Sequence, residues 1–149
     1  MNIRARAAAG FDTPYAVVEE EPDEWRRKML GYFLDDTRGS EDLYLAALDR
    51  AEAGTPELTW CNHATDTEMY PDGRVVITPL EFLLDESERD NPPKVVITIA
   101  EARKLILDWL AAEKEWYAAR DARRLSADQP LAAVAVATHA GTNSDSRSG

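Results

Sequence analysis

The residues of this chain whose types suit chemistry are sparse apart from its carboxylates. Cys61, His63, Asp66 and Glu68 are the one close group that resembles a set of metal ligands. On an extended strand Cys61 and His63 point to the same face, so a pair of ligands is geometrically open to them. A structural zinc site wants four ligands, usually thiolates and imidazoles from two separate turns. The sequence has one cysteine and two histidines, and His139 lies far off in a low-complexity stretch. The reading is a small buried thiol beside a surface imidazole, with no metal. A Cys–His nucleophile fares no better, because side chains two apart on a strand splay in parallel and do not bring sulfur to nitrogen. Neither a phosphate-cradling glycine loop, a helical HExxH nor a GxSxG elbow occurs. The sequence therefore predicts no cofactor and no catalytic residue.

Carboxylates, in contrast, are abundant. Asp and Glu number 28 against 17 Lys and Arg, a net charge of −11. The excess is concentrated: from Glu19 to Glu115 there are 24 acids and 11 bases, and both flanks are slightly basic. Phosphate binding needs clustered Lys and Arg, so this body is a poor direct ligand for nucleic acid and for an anionic membrane. It suits fast, salt-sensitive association with a basic protein. The plainer reading of the same charge is solubility alone. Nothing in the sequence singles out two carboxylates as a buried acid–base pair, so the chain is not read as an enzyme. One cysteine permits no intrachain disulfide and fits a reducing compartment. No apolar run approaches the roughly twenty residues of a membrane span, and the N-terminus lacks a secretory core. The expected location is the cytoplasm.

These acids must be positioned by elements, and the hydrophobic pattern predicts an α+β fold. It has an N-terminal helical pair, a small antiparallel meander sheet of three to four strands, and a long C-terminal helix packed on the sheet. Residues 1–21 read as a flexible arm, with Phe11, Tyr15, Val17 and Val18 able to dock in extended form. A single domain covers 22–125, and 126–149 is a low-complexity tail. Asp23 caps a first helix with Trp25, Met29 and Tyr32/Phe33 inward. Asp35, Asp36 and Gly39 form a loop. Ser40 caps a second helix with a buried stripe of Leu43, Ala47, Leu48 and Ala51. After Pro56 the period falls to two through Leu58, Trp60 and Asn62. Pro71-Asp72-Gly73 then joins two strands as a hairpin turn. Glu81–Leu84 prolongs the second strand, a charged loop runs from Asp85 to Pro93, and Lys94–Ile97 is a buried strand. Thr98 and Glu101 form a capping box for a helix reaching about Leu125, with Trp109 in the core.

The expected contact surface follows. Asp66, Glu68, Tyr70 and Asp72 gather around the hairpin, and Asp85, Glu86, Glu88 and Asp90 line the loop, at adjacent ends of one sheet. The acids would occupy a cationic cleft on a partner while Tyr70 anchors the contact.

The run YPDGRVVITPL, the acidic loop DESERDNPP and the strand and capped helix VVITIAEARKLILDWL carry a resemblance. From Glu57 to Trp116 the chain resembles small bacterial immunity proteins of polymorphic toxin and contact-dependent inhibition systems. The resemblance implies binding to a cognate toxin domain, often a basic nuclease, and blockage of its active site. Interfaces differ between lineages, so it carries over no binding residue. The alternative expectation is a small acidic adaptor, secretion chaperone or regulatory subunit that docks through Trp116 and Tyr117 on its C-terminal helix.

Overall fold

Asp23 opens helix α1 (Glu24–Thr37) by accepting the Arg26 N–H at 2.7 Å, satisfying one of the amides a helix leaves unbonded at its start. Met29, Leu30, Phe33 and Leu34 on this helix are fully buried. Asp35 and Asp36, expected in a loop, lie in its last turn instead. Helix α2 (Glu41–Glu52) is not capped by the Ser40 side chain; Glu41 folds back, and its Oε1 accepts the Gly39 N–H at 3.0 Å. The buried stripe of α2 is Tyr44, Ala47, Leu48 and Ala51, while Leu43 is 59% exposed. Helical spacing admits either neighbour, and Tyr44 takes the place by meeting Phe33 edge-on at 6.0 Å.

The computed structural model describes residues 3–7 and 12–140, with the backbone alone for 59–61 and 128–140. Phe11 falls outside the described residues, as do the side chains of Cys61 and His139. Two units make up the chain, Met1–Glu113 and Lys114–Gly149. The first is α+β.

Its main sheet is an antiparallel meander of β3 (Glu57–Cys61), β4 (Thr65–Met69), β5 (Arg74–Pro79) and β6 (Val95–Thr98) in that order. The Pro71-Asp72-Gly73 turn forms as expected, with Gly73 at φ +97° and Tyr70 N–H bonded to the Arg74 carbonyl at 2.9 Å. Thr65, Thr67 and Met69 on β4 face inward with Val75 and Ile77 on β5. Strand β6 is half-buried rather than fully buried, Val95 and Ile97 pointing in and Val96 and Thr98 out. Glu81–Leu83 does not extend β5; the last bond to β4 is from the Leu80 N–H to the Ala64 carbonyl at 2.9 Å, and Glu81–Leu83 then forms a 3-10 turn. The capping box at the next helix is present: Thr98 N–H reaches Glu101 Oε1, and Glu101 N–H reaches Thr98 Oγ1, each at 3.0 Å. Helix α3 (Ile99–Ala140) places Ala102, Leu105, Ile106 and Trp109 in the core.

Two expectations about the ends need correction. The segment read as a flexible arm contains β1 (Ile3–Ala7) and β2 (Pro14–Val18), paired antiparallel from Ile3 opposite Val18 to Ala7 opposite Pro14. Pro14, Ala16 and Val18 are buried, so the element order begins with strands and not with the helical pair. Five residues of alternation between a proline and an acidic turn are too few for periodicity to reveal. At the other end, the helix does not stop near Leu125, and its backbone continues to Ala140. Leu131–Ala137 is built of residues dominated by strong helix formers, a preference that outweighs the missing period. Residues 141–149 lie outside the described residues.

One carboxylate ties α1 to the sheet. Asp36, 4% exposed, accepts the N–H groups of His63 and Ala64 at 3.2 Å, the Thr65 N–H at 2.8 Å and the Thr65 hydroxyl at 2.7 Å. Its own carbonyl accepts Asn62 Nδ2 at 2.6 Å. Asp36→Ala will leave these donors buried without an acceptor, at a cost of about 3 kcal/mol or more. Asp36→Asn will lose nearly as much, because its amide turns a donor toward donors. Urea denaturation of both variants measures this, and a loss in Asp36→Asn below half that in Asp36→Ala would show the carboxylate charge to be dispensable.

Candidate functional site

Of the eight residues expected at the contact surface, the structure holds those at the hairpin tip apart from those on the loop. Asp66 and Glu68 point outward from β4, opposite Thr65, Thr67 and Met69. Tyr70 and Asp72 follow in the turn. Asp85, Glu86, Glu88 and Asp90 lie beyond the far end of β5, since Met69 pairs with Val75 beside the turn and Thr65 with Pro79 beside the loop. Asp66 pairs with Thr78 and so lies at the loop end of β4, and Glu68 pairs with Val76 nearer the turn. At the usual strand rise the turn itself is about 17 Å from the loop. Successive turns of a meander emerge at opposite ends, so the turn at Tyr70 and Asp72 is not adjacent to the loop.

The hairpin tip is largely neutralised from within. Asp72 Oδ2 meets Arg74 Nε at 2.7 Å, and Asp72 Oδ1 accepts the Arg74 N–H at 3.1 Å. The Arg74 guanidinium also lies 4.6 Å from the centre of the Tyr70 ring. A hydrogen bond to the Glu68 carboxylate holds the Tyr70 phenol above its ordinary pKa. Tyr70 is therefore engaged with its own hairpin.

The loop after β5 is different. Leu84 is buried and anchors it. A second 3-10 turn, Glu86–Glu88, is closed by Asp85 and Glu88, with Asp85 N–H on Glu88 Oε1 at 3.0 Å. Phe82, in the first 3-10 turn just ahead of these anchors, stands 69% exposed. From Glu81 to Asp90 the loop has five acids and one base, and that base, Arg89, approaches Glu81 only at 3.7 Å. Phe82 was not among the expected contact residues. The available signal was EFLL after Pro79, three apolar residues at a loop start with room to bury only some of them.

A further group went unseen in the sequence: acids inside the fold. Asp35 Oδ1 accepts the Ala16 N–H of β2 at 2.7 Å, and Arg38 Nη1 donates to the Pro14 carbonyl on the same strand. Burial raises the Asp35 carboxyl to about 6 against the opposing pull of the Ala16 N–H and Arg38. Glu41 and Glu113 are 7% and 6% exposed. Burial, and then a hydrogen bond to Glu41 and its charge, lift the Glu113 carboxyl to about 8, with Arg38 opposing. Helical spacing places Glu113 four residues after Trp109 and so on the buried face, which is the signal that could have found it.

Between β2 and α1 lies an open cleft of about 330 Å³, walled by Tyr15, Val17, Glu24, Lys28, Tyr32 and Asp35. Asp35 is the one buried-acid residue on its wall; Glu41 and Glu113 do not line it. In the second unit Trp116 and Tyr117 meet edge-on at 5.1 Å, with the Arg120 guanidinium 5.8 and 4.8 Å from their ring centres. At the base of the cleft Gly31 allows close approach, since a Cβ there would sit 3.0 Å from the Ala16 carbonyl oxygen. That oxygen belongs to a strand pinned by Asp35 and Arg38 and has little room to yield. Gly31→Ala gains about 1 kcal/mol of helix propensity but meets an overpacking cost of about 1–3 kcal/mol. The expected outcome in thermal denaturation is a net loss, together with faster exchange of the Ala16 amide; a more stable variant would show that β2 shifts freely.

Compared with known proteins, the chain matches no family model, no curated protein and no solved structure.

Proposed function

We propose that this chain is a binding protein that occupies a basic surface on a protein partner, in the manner of an immunity protein or antitoxin, and makes or breaks no bond itself. Phe82 carries the reading. An exposed aromatic ring on a braced loop presents apolar area at little conformational cost, and such residues dominate interface energetics. The surrounding carboxylates steer a cationic partner toward it and disfavour acidic competitors. Of the expected contact residues, Asp85, Glu86, Glu88 and Asp90 share this loop with Phe82. Glu68, Tyr70 and Asp72 lie toward the opposite end of the sheet and form at most a second, weaker contact, while Asp66 sits at the loop end of β4.

Among the described residues no helix is long and apolar enough to cross a membrane, and the proposed place of action is the bacterial cytoplasm. The adaptor alternative, docking through Trp116 and Tyr117, is less favoured because Arg120 already stacks against both rings.

The test is co-expression with a basic toxin domain encoded beside this chain's reading frame, followed by titration of the purified pair. Phe82→Ala is expected to weaken the complex about a hundredfold, in the range of an interface anchor. Reversing Glu86 and Asp90 to Lys is expected to slow association about tenfold at low salt and to flatten its salt dependence. Loss of binding on Trp116→Ala with no effect of Phe82→Ala would transfer the contact to the C-terminal helix and defeat the proposal.

A further inference from the structure

Glu41 Oε2 is a buried carboxylate oxygen with no ordinary donor near it, although its neighbour is another carboxyl group, that of Glu113. Two adjacent carboxylates so deep in the fold cannot both be ionised, since their repulsion adds to the cost of removing each from water. A proton held between them removes the difficulty, giving Glu113 a donor and Glu41 Oε2 its missing partner. We propose that Glu41 and Glu113 share one proton and form a latch that fastens α3 to the start of α2, closed while the proton is held and loosened when it leaves.

The surroundings decide which residue carries the proton. Glu41 lies in the first turn of α2, where the helix dipole favours negative charge, and its Oε1 already accepts the Gly39 N–H. Glu113 sits within α3, away from any helix end, and has no such support. The proton therefore rests on Glu113. From the end of α1 two charged groups act on Glu113: Arg38, the residue after the helix, favours its ionisation, and Asp35 opposes it. Arg38 is shared with the Pro14 carbonyl of β2, so its compensation is partial. Charge on Glu113 would thus press α3 away from α2 and draw Arg38 from its bond to the strand.

The direction of the pH effect follows. The folded carboxyl holds its proton to about pH 8, against an ordinary value of 4.5. Between these values the folded state binds more protons than the unfolded state, so stability declines as pH rises. The contribution is complete below the ordinary value and is gone once pH passes the folded one. Where the decline is steepest, a single proton changes the folding equilibrium by about tenfold per pH unit.

Carbon-detected NMR of the full chain, with glutamate side-chain carboxyls labelled, tests the latch. One carboxyl carbon is expected to titrate near pH 8, to vanish in Glu113→Gln and to move to lower pH in Glu41→Gln, which removes the like charge. In parallel, the urea midpoint of the wild type should fall from pH 7 to pH 9, above the range in which Asp35 titrates, while Glu113→Gln, whose amide donates to Glu41 at every pH, stays level. Absence of any carboxyl titration above pH 6 would overturn the proposal. So would an unchanged titration in Glu41→Gln, a measurement that stands even if Glu113→Gln folds poorly.

Discussion

The Asp36 carboxylate sits where two kinds of structure must be joined, and its hydrogen bonds set the terms for the rest. Helix α1 buries Met29, Leu30, Phe33 and Leu34, but apolar contact alone does not fix its register against a sheet. The turn from Asn62 to Thr65 presents backbone amides toward the helix end, and buried amides require an acceptor. A charged acceptor bonded by several donors recovers much of what it loses on leaving water. The same bonds fix where β4 starts, hence which of its residues face in. A shift of one residue would exchange Thr65, Thr67 and Met69 for Asp66 and Glu68 and place charge in the core.

From this join the polar contacts spread along the end of α1. Asp35 takes the Ala16 amide, Arg38 the Pro14 carbonyl, and both act on Glu113. One helical turn and the residue after it thus hold β2 on one side and the β3–β4 turn on the other. Strand β2 presents its unpaired edge to α1, and these side chains satisfy groups that a bare edge would offer to another chain. The acid excess of the sequence consequently has two populations. Some carboxylates are internal fastenings, each with donors or a shared proton. Others remain in water and define how the surface looks to a partner.

The sequence could not separate those populations, and the reason is physical. Elements with local signals were legible: the Asp23 cap, the turn at Gly73 and the box of Thr98 and Glu101 all depend on residues within a few positions of one another. Trp109 was legible from spacing. Asp36 looks like any loop acid because its partners lie 27 to 29 residues away. Strand β2 was legible only as an extended segment able to dock, as its pairing with β1 and its place on α1 are both tertiary. In the expected contact surface, residue types were read correctly as acidic while their arrangement was not. Adjacency of the hairpin and the loop would have required strand polarity to be followed through the meander.

Strand polarity also determines which acids can act at a distance. At the hairpin tip Arg74 neutralises Asp72 and covers Tyr70, so the field there falls off quickly and the ring has little free face. At the opposite end the loop keeps Glu86 and Asp90 exposed, and the carboxylates of Asp85 and Glu88 brace the backbone instead of pairing with cations. A braced loop with five acids and one base, carrying the exposed Phe82 ring, is the arrangement that suits capture of a basic surface. The internal acids face inward instead. Glu41 and Glu113 are covered, and Asp35, the one that reaches the cleft, already has an oxygen committed to the Ala16 amide. The two populations of carboxylates therefore divide the work, with those inside shaping the fold and those on the loop forming the proposed point of contact.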